Sequence, residues 1–189
     1  VQDMINKPMF IESHRLGIYS GRSTDVSVVL DIMIHDIDVI LNFVDSEVDT
    51  IHASGAAVVS DHCDIANARL SFKSGCVANV TASRISTKNQ RKIRLFQKDG
   101  YIVIDFAKCE VTHIEKTPVT NEALIPGTEI HQLRYPKGDP LDEELRSFID
   151  AVSACREPVV TGRMGYQALS VALDVMDQID ETVRRLGEV

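Results

Sequence analysis

The chain has 189 residues and a mass of 21.0 kDa, and hydrophobic residues make up 44% of it, which suits one packed core and leaves no room for a second full domain. A net charge of -8 and a pI near 5.2 exclude a general nucleic-acid binder with a basic face, and no apolar run reaches the ~18 residues of a membrane span. Cys63, Cys76, Cys109 and Cys155 are too dispersed for a zinc knuckle or a C-x-x-C redox pair, and they read as reduced core thiols.

No charged-then-apolar leader opens the chain, so a cytoplasmic protein is expected, and the start at Val1 rather than Met suggests a piece of a longer one. Residues 9–20 read as a strand. Ser23, Thr24 and Asp25 then offer N-caps to an apolar stretch from Val26 to Val44, long enough for about five helical turns. Strands follow at 48–59, 64–72, 76–84, 92–97, 101–105, 109–115 and 129–135. Ala66, Ala68, Leu70 and Phe72 alternate with Asn67, Arg69 and Ser71, and Cys76, Ala78, Val80 and Ala82 resume the pattern after Lys73-Ser74-Gly75. That predicts a hairpin with Gly75 at positive φ. Asp99-Gly100 predicts a second turn of this kind.

Pro118, Pro126 and Gly127 mark 116–128 as a surface loop. Asp139 caps the next helix with Pro140 at its first position, and Leu141, Leu145, Phe148, Ile149 and Val152 form one apolar stripe. The last helix starts near Gly162, with a stripe of Tyr166, Leu169, Leu173, Met176, Ile179, Val183 and Leu186, and Gly187 as its terminator. This order predicts a single α+β domain over 1–189: an open, mostly antiparallel sheet with helices packed on one face.

Within the apolar stretch, Ser27, Asp31, His35, Asp38 and Asn42 are three or four residues apart and stack on one side of a helix. Such a stripe costs several kcal/mol to bury unless its members pair or face a polar cleft. Three readings are open. Asp31 and His35 can form a structural pair; Asp31 can orient His35 as a general base for a bound hydroxyl; or Asp31, His35 and Asp38 can ligate a metal, although no second segment with matched ligands is evident. The His35-Asp36 pair also resembles that of metal phosphohydrolases, but those are all-helical and this chain is mostly strands.

A second local feature is basic. Arg84, Lys88, Arg91, Lys92, Arg94 and Lys98 follow one another without an intervening acid, either as a solvated sheet edge or as an anion site.

The segment Asp31-Ile-Met-Ile-His35-Asp36-Ile37-Asp38, placed after a strand and before a large sheet, resembles the D-x-x-x-H helix of the Gfo/Idh/MocA oxidoreductases, in their C-terminal domain. Gly162-Arg163-Met164-Gly165-Tyr166-Gln167-Ala168-Leu169 is similar to that family's closing G-x-x-G-x-x-A-L segment. The resemblance implies an NAD(P)-dependent oxidoreductase acting on a sugar hydroxyl, with His35 as acid/base and Asp31 as its partner. It also implies that NAD or NADP is bound mainly by an N-terminal Rossmann domain absent from this chain. No G-x-G-x-x-G and no Glu-Lys-Pro occur here, so cofactor-binding residues cannot be assigned. Alone, the domain would be inactive.

Residues 14–38 and 64–86 look most like members of the UDP-N-acetylglucosamine 3-dehydrogenase type. By that resemblance Arg15, Arg22, Arg84 and Tyr166 are candidates for holding a nucleotide-sugar such as a UDP-N-acetylhexosamine, and the protein is expected to form a homodimer or homotetramer through its sheet. No metal, nucleic acid or membrane partner is implied. The competing reading is a sugar-binding or assembly module that has no catalysis.

Overall fold

The alternation of apolar and polar residues resolves into one open sheet in a computed structural model, which describes residues 1–118 and 125–187. The central part of the loop predicted at 116–128 and the side chain of Leu186 lie outside the described residues. The strands are β1 (Phe10–Leu16), β2 (Val48–Ala56), β3 (Ile65–Phe72), β4 (Val77–Ser83), β5 (Gln90–Gln97), β6 (Gly100–Asp105), β7 (Glu110–Lys116) and β8 (Thr128–Arg134). Among the described residues they form a sheet of eight in the order β2-β3-β4-β1-β5-β6-β7-β8. β1 runs parallel to β4, and every other neighbour is antiparallel. Gly75, at φ 89°, makes the turn into β4 as expected.

One face of this sheet carries the core. Ile11, Ala66, Ala68, Leu70, Ala78, Val80, Ala82, Ile93 and Leu95 are all at most 1% exposed. Residues one step along point the other way. On that second face Asn67 donates to the Thr81 hydroxyl at 2.8 Å, and Arg69 donates to Asn79 at 3.3 Å, so the face of β3 and β4 is polar and hydrogen-bonded across the strands.

The apolar stretch after β1 is helical, but not as one regular helix. Residues Val29–Met33 form a π-helical turn that runs into α1 (Ile34–Phe43). Ser27 starts it, its hydroxyl accepting from the Val29 N–H at 3.2 Å, in place of the predicted caps at Ser23, Thr24 and Asp25. Val28, Val29, Met33, Ile37 and Ile40 seal against the alanine-rich centre of the sheet, where small side chains let the helix come close.

The two final helices keep their predicted positions and turn their large side chains outward. In α2 (Pro140–Ser153) Asp139 caps as expected, accepting from the Leu141 N–H at 3.0 Å. However, Leu141, Leu145, Phe148, Ile149 and Val152 are 53–63% exposed, so this stripe does not pack on the sheet. In α3 (Gly162–Gly187) the buried face is Ala168, Ala172, Val175 and Ile179, while Tyr166, Leu169, Leu173 and Val183 face out. A Cβ on Gly55 of β2 would stand 3.2 Å from Ile179 Cδ1 and 2.5 Å from Cys63 Sγ, so the strand offers no side chain there and Ile179 of α3 seats directly on it. The cysteines divide as well: Cys76 is buried, with its thiol pushed up to about 11 by burial, whereas Cys155 is exposed rather than a core thiol.

Candidate functional site

Period-two geometry places Ser13 and Arg15 on the core face of β1, beneath α1. They meet Asp36, which is 1% exposed: the Ser13 hydroxyl donates to Oδ2 at 2.9 Å, while Arg15 donates to Oδ1 through Nε at 2.9 Å and Nη2 at 2.5 Å. A buried carboxylate with one full counter-charge and a third donor avoids most of the desolvation cost of an unpaired one. Asp36 therefore ties α1 to β1 and fixes how the residue before it, His35, is presented.

His35 is exposed and Asp31 half-buried, and both line a cavity of about 440 Å³ whose other wall comes from β1 and β5, with Arg15, Asn89, Gln90 and Arg91. The structure thus brings together Asp31, His35 and Arg15 from the predicted set. No hydrogen bond or ion pair joins Asp31 to His35, so the close pairing expected from a four-residue spacing is not made. The cause is local: the π-helical turn ends at Met33, and its wider i to i+5 repeat carries Asp31 off the α-helical stack. The carboxylate that feels His35 is Asp38. Burial raises the Asp38 carboxyl above its ordinary range, and its charge interaction with His35 and a hydrogen bond from Asn42 partly offset this.

Arg91 was counted in the sequence only as one of six cations, and the structure separates it from the rest. Lys92 and Arg94 pair with Asp105 at 3.3 Å and Glu12 at 3.5 Å. Arg91 instead stands directly opposite Arg15 in the β1/β5 register, its guanidinium carbon 5.3 Å from the centre of the Phe106 ring. Burial against the cavity wall lowers its basicity, the like charge of Arg15 adds to this, and Asp36 opposes it.

Arg84 does not reach the cavity. It is 5% exposed and donates to the backbone carbonyls of Ser23, Val26 at 2.5 Å and Cys63 at 3.2 Å, with Nε 3.6 Å from Asp64 Oδ1. Its charge is consumed in pinning the loop before the helix to the start of β3, away from the cavity in which it was expected to hold a ligand anion. Asp64, fully buried, accepts the N–H groups of Val58, Val59 and Ser60 at 2.8, 2.7 and 3.0 Å and the Ser60 hydroxyl at 2.7 Å. Burial pushes its carboxyl up, but these bonds outweigh it and hold the group well below the usual carboxylate range.

Two further candidates lie elsewhere. Tyr166 is 71% exposed and lines a separate cavity of about 760 Å³ formed with the end of α1 and the start of β2, so it does not join Asp31 and His35. Arg22 is exposed in the loop after β1 and lines neither cavity.

Among the described residues there is no cluster of three or more His, Cys, Asp or Glu side chains able to hold a metal ion. Gly17 and Gly21 lie between β1 and the helix, but they are four apart and the helix there opens on a π turn, which is not the spacing of a dinucleotide-binding glycine turn. No described helix is long and apolar enough to cross a membrane.

Fold and cavity together define an open-faced α+β domain with an imidazole and a carboxylate lining one cavity. Residues 12–103 match the GFO/IDH/MocA C-terminal domain family. It is 33% identical over 178 residues to a UDP-N-acetylglucosamine 3-dehydrogenase of Acidithiobacillus ferrooxidans, covering 94% of this chain and 56% of that one. A myo-inositol 2-dehydrogenase of Thermotoga maritima is 27% identical over 162 residues, or 82% of this chain and 47% of the relative. A solved structure of the Acidithiobacillus ferrooxidans UDP-N-acetylglucosamine 3-dehydrogenase superposes with a TM-score of 0.88 at 32% identity, over 95% of this chain and 57% of that one. The chain spans about half the length of the curated relatives it matches.

Proposed function

We propose that this chain is the substrate-binding and catalytic part of an NAD(P)-dependent oxidoreductase that oxidises a sugar hydroxyl, with a UDP-N-acetylhexosamine as the favoured substrate. The observation that carries the reading is the shared cavity of Asp31 and His35 beside a cationic strand wall. Similarity to a UDP-N-acetylglucosamine 3-dehydrogenase over nearly the whole chain supports the nucleotide-sugar, and the family supports a nicotinamide cofactor.

When bound, the nicotinamide supplies the hydride acceptor, and nothing in these residues forms its cradle. The work of this chain is on the hydroxyl. His35, exposed in the cavity, takes the hydroxyl proton as the carbon–oxygen double bond forms, because an imidazole is the side chain best matched to proton transfer near neutral pH. Asp38, whose carboxylate interacts electrostatically with His35, steadies the resulting imidazolium, while Asp31 lines the same cavity without direct contact to the ring. The Arg15–Asp36 pair is a positioning device: it fixes α1 against the sheet and so the direction of His35.

The test is a panel of UDP-sugars and free sugars offered with NAD and with NADP to the intact protein, followed by nicotinamide absorbance. Reduction of the nicotinamide with a UDP-N-acetylhexosamine supports the reading. A protein that binds sugars with no nicotinamide reduction would favour the alternative of a binding or assembly module.

A further inference from the structure

We propose that Arg91 recognises an anionic group on the sugar substrate, a role that rests on the reading of the cavity as a sugar site. Three observations carry it. Its side chain is accessible and lines the cavity that holds Asp31 and His35, but on the strand wall rather than the helix wall. No carboxylate of the described residues forms an ion pair with it, while the neighbouring cations Lys92 and Arg94 have theirs. It is also held in place before any ligand arrives, through its stack on Phe106 and its strand pairing opposite Arg15.

Asp36 is already paired with Arg15, so the guanidinium of Arg91 opposite it has no carboxylate of its own and its positive charge faces the cavity. An incoming oxyanion relieves that like-charge opposition, and the planar guanidinium offers it paired donors. The cavity is thereby polarised. An anionic end of the substrate would lie against β5, and the hydroxyl to be oxidised would point to His35 on α1, which gives the site a sense of direction that Asp31 and His35 alone do not supply.

The same chemistry would take the diphosphate of a nucleotide-sugar or the carboxylate of an acidic sugar, and calorimetry on the intact protein separates them. The titrants are inorganic pyrophosphate, UDP, UDP-N-acetylglucosamine, glucuronic acid and free N-acetylglucosamine, against wild type, Arg91→Ala and Arg91→Lys. We expect Arg91→Ala to weaken the anionic ligands at least about tenfold, the scale of a charge-assisted hydrogen bond, with free N-acetylglucosamine unchanged and partial recovery in Arg91→Lys. Loss confined to pyrophosphate and the UDP ligands assigns a diphosphate; loss confined to glucuronic acid assigns a carboxylate. Equal weakening of the free sugar, unchanged affinity for every anion, or no anion binding by the wild type would overturn the proposal. An anion effect at Arg91 in a protein that oxidises no sugar would support the anion site while refuting the sugar-oxidation reading.

Discussion

Arg15 on β1 holds Asp36 on α1 by two nitrogens, at 2.9 and 2.5 Å, with both residues withdrawn from solvent. The adjoining residue His35 is exposed in the cavity, so the pair converts the packing of a helix on a sheet into the placement of one imidazole. Removing one partner leaves a buried charge without compensation. Asp36→Ala and Arg15→Ala should each lower stability by about 3–5 kcal/mol in urea unfolding, and the double variant should lose less than the sum of the two. Full additivity would show that the two side chains do not act as a unit.

Arg84 is expected to be structural. Arg84→Ala should destabilise the fold on a similar scale, because three carbonyls lose a donor and Asp64 loses the cation 3.6 Å away, and the folded protein should bind UDP-N-acetylglucosamine as wild type does. Urea unfolding together with calorimetry checks both parts. A stable variant with weakened ligand binding would return Arg84 to the ligand.

Asp64 sets a pH dependence of definite sign. Its folded-state carboxyl is held below the ordinary value of 3.8, so it stabilises the fold fully above that value and the stabilisation is lost as pH falls below it toward the lower folded value. Thermal unfolding should show wild type losing stability steeply below about pH 4, and Asp64→Asn should be less stable at pH 7 with a shallower acid limb. Parallel profiles for the two proteins would contradict the assignment.

The strands were legible because the alternation that predicts them is the same alternation that buries one face of the sheet; Ala66, Ala68 and Leu70 are inside and Asn67 and Arg69 are outside, as read. The outward stripes of α2 and α3 were not legible. Periodicity identifies an apolar face but not what covers it, and α3 packs by Ala168, Ala172, Val175 and Ile179, the last seated on Gly55, while Tyr166, Leu169 and Leu173 face out. Asp31 and His35 were read together from their spacing and share a cavity, but the π turn that separates them leaves no trace in a four-residue interval. Asp36 was missed because it lies off the polar stripe; its partners are on a strand 21 and 23 residues earlier. Among the basic residues, charge could be counted but burial could not, and so Arg84 was singled out where Arg91 lines the cavity.

The polar second face of β3 and β4, with its side chains hydrogen-bonded across the strands, suits a flat contact with a second copy. The intact protein is expected to be at least a dimer by light scattering at micromolar concentration, and Asn79→Arg, which sets a long charged side chain beside Arg69, should shift it toward monomer. A wild type that is monomeric there would refute the sheet interface.

The central claim is that His35 moves the hydroxyl proton, and turnover of His35→Ala in the intact protein tests it most directly. With UDP-N-acetylhexosamine and the nicotinamide the wild type prefers, the account predicts a loss of at least ~100-fold in kcat with KM little changed. Near-normal turnover would contradict it.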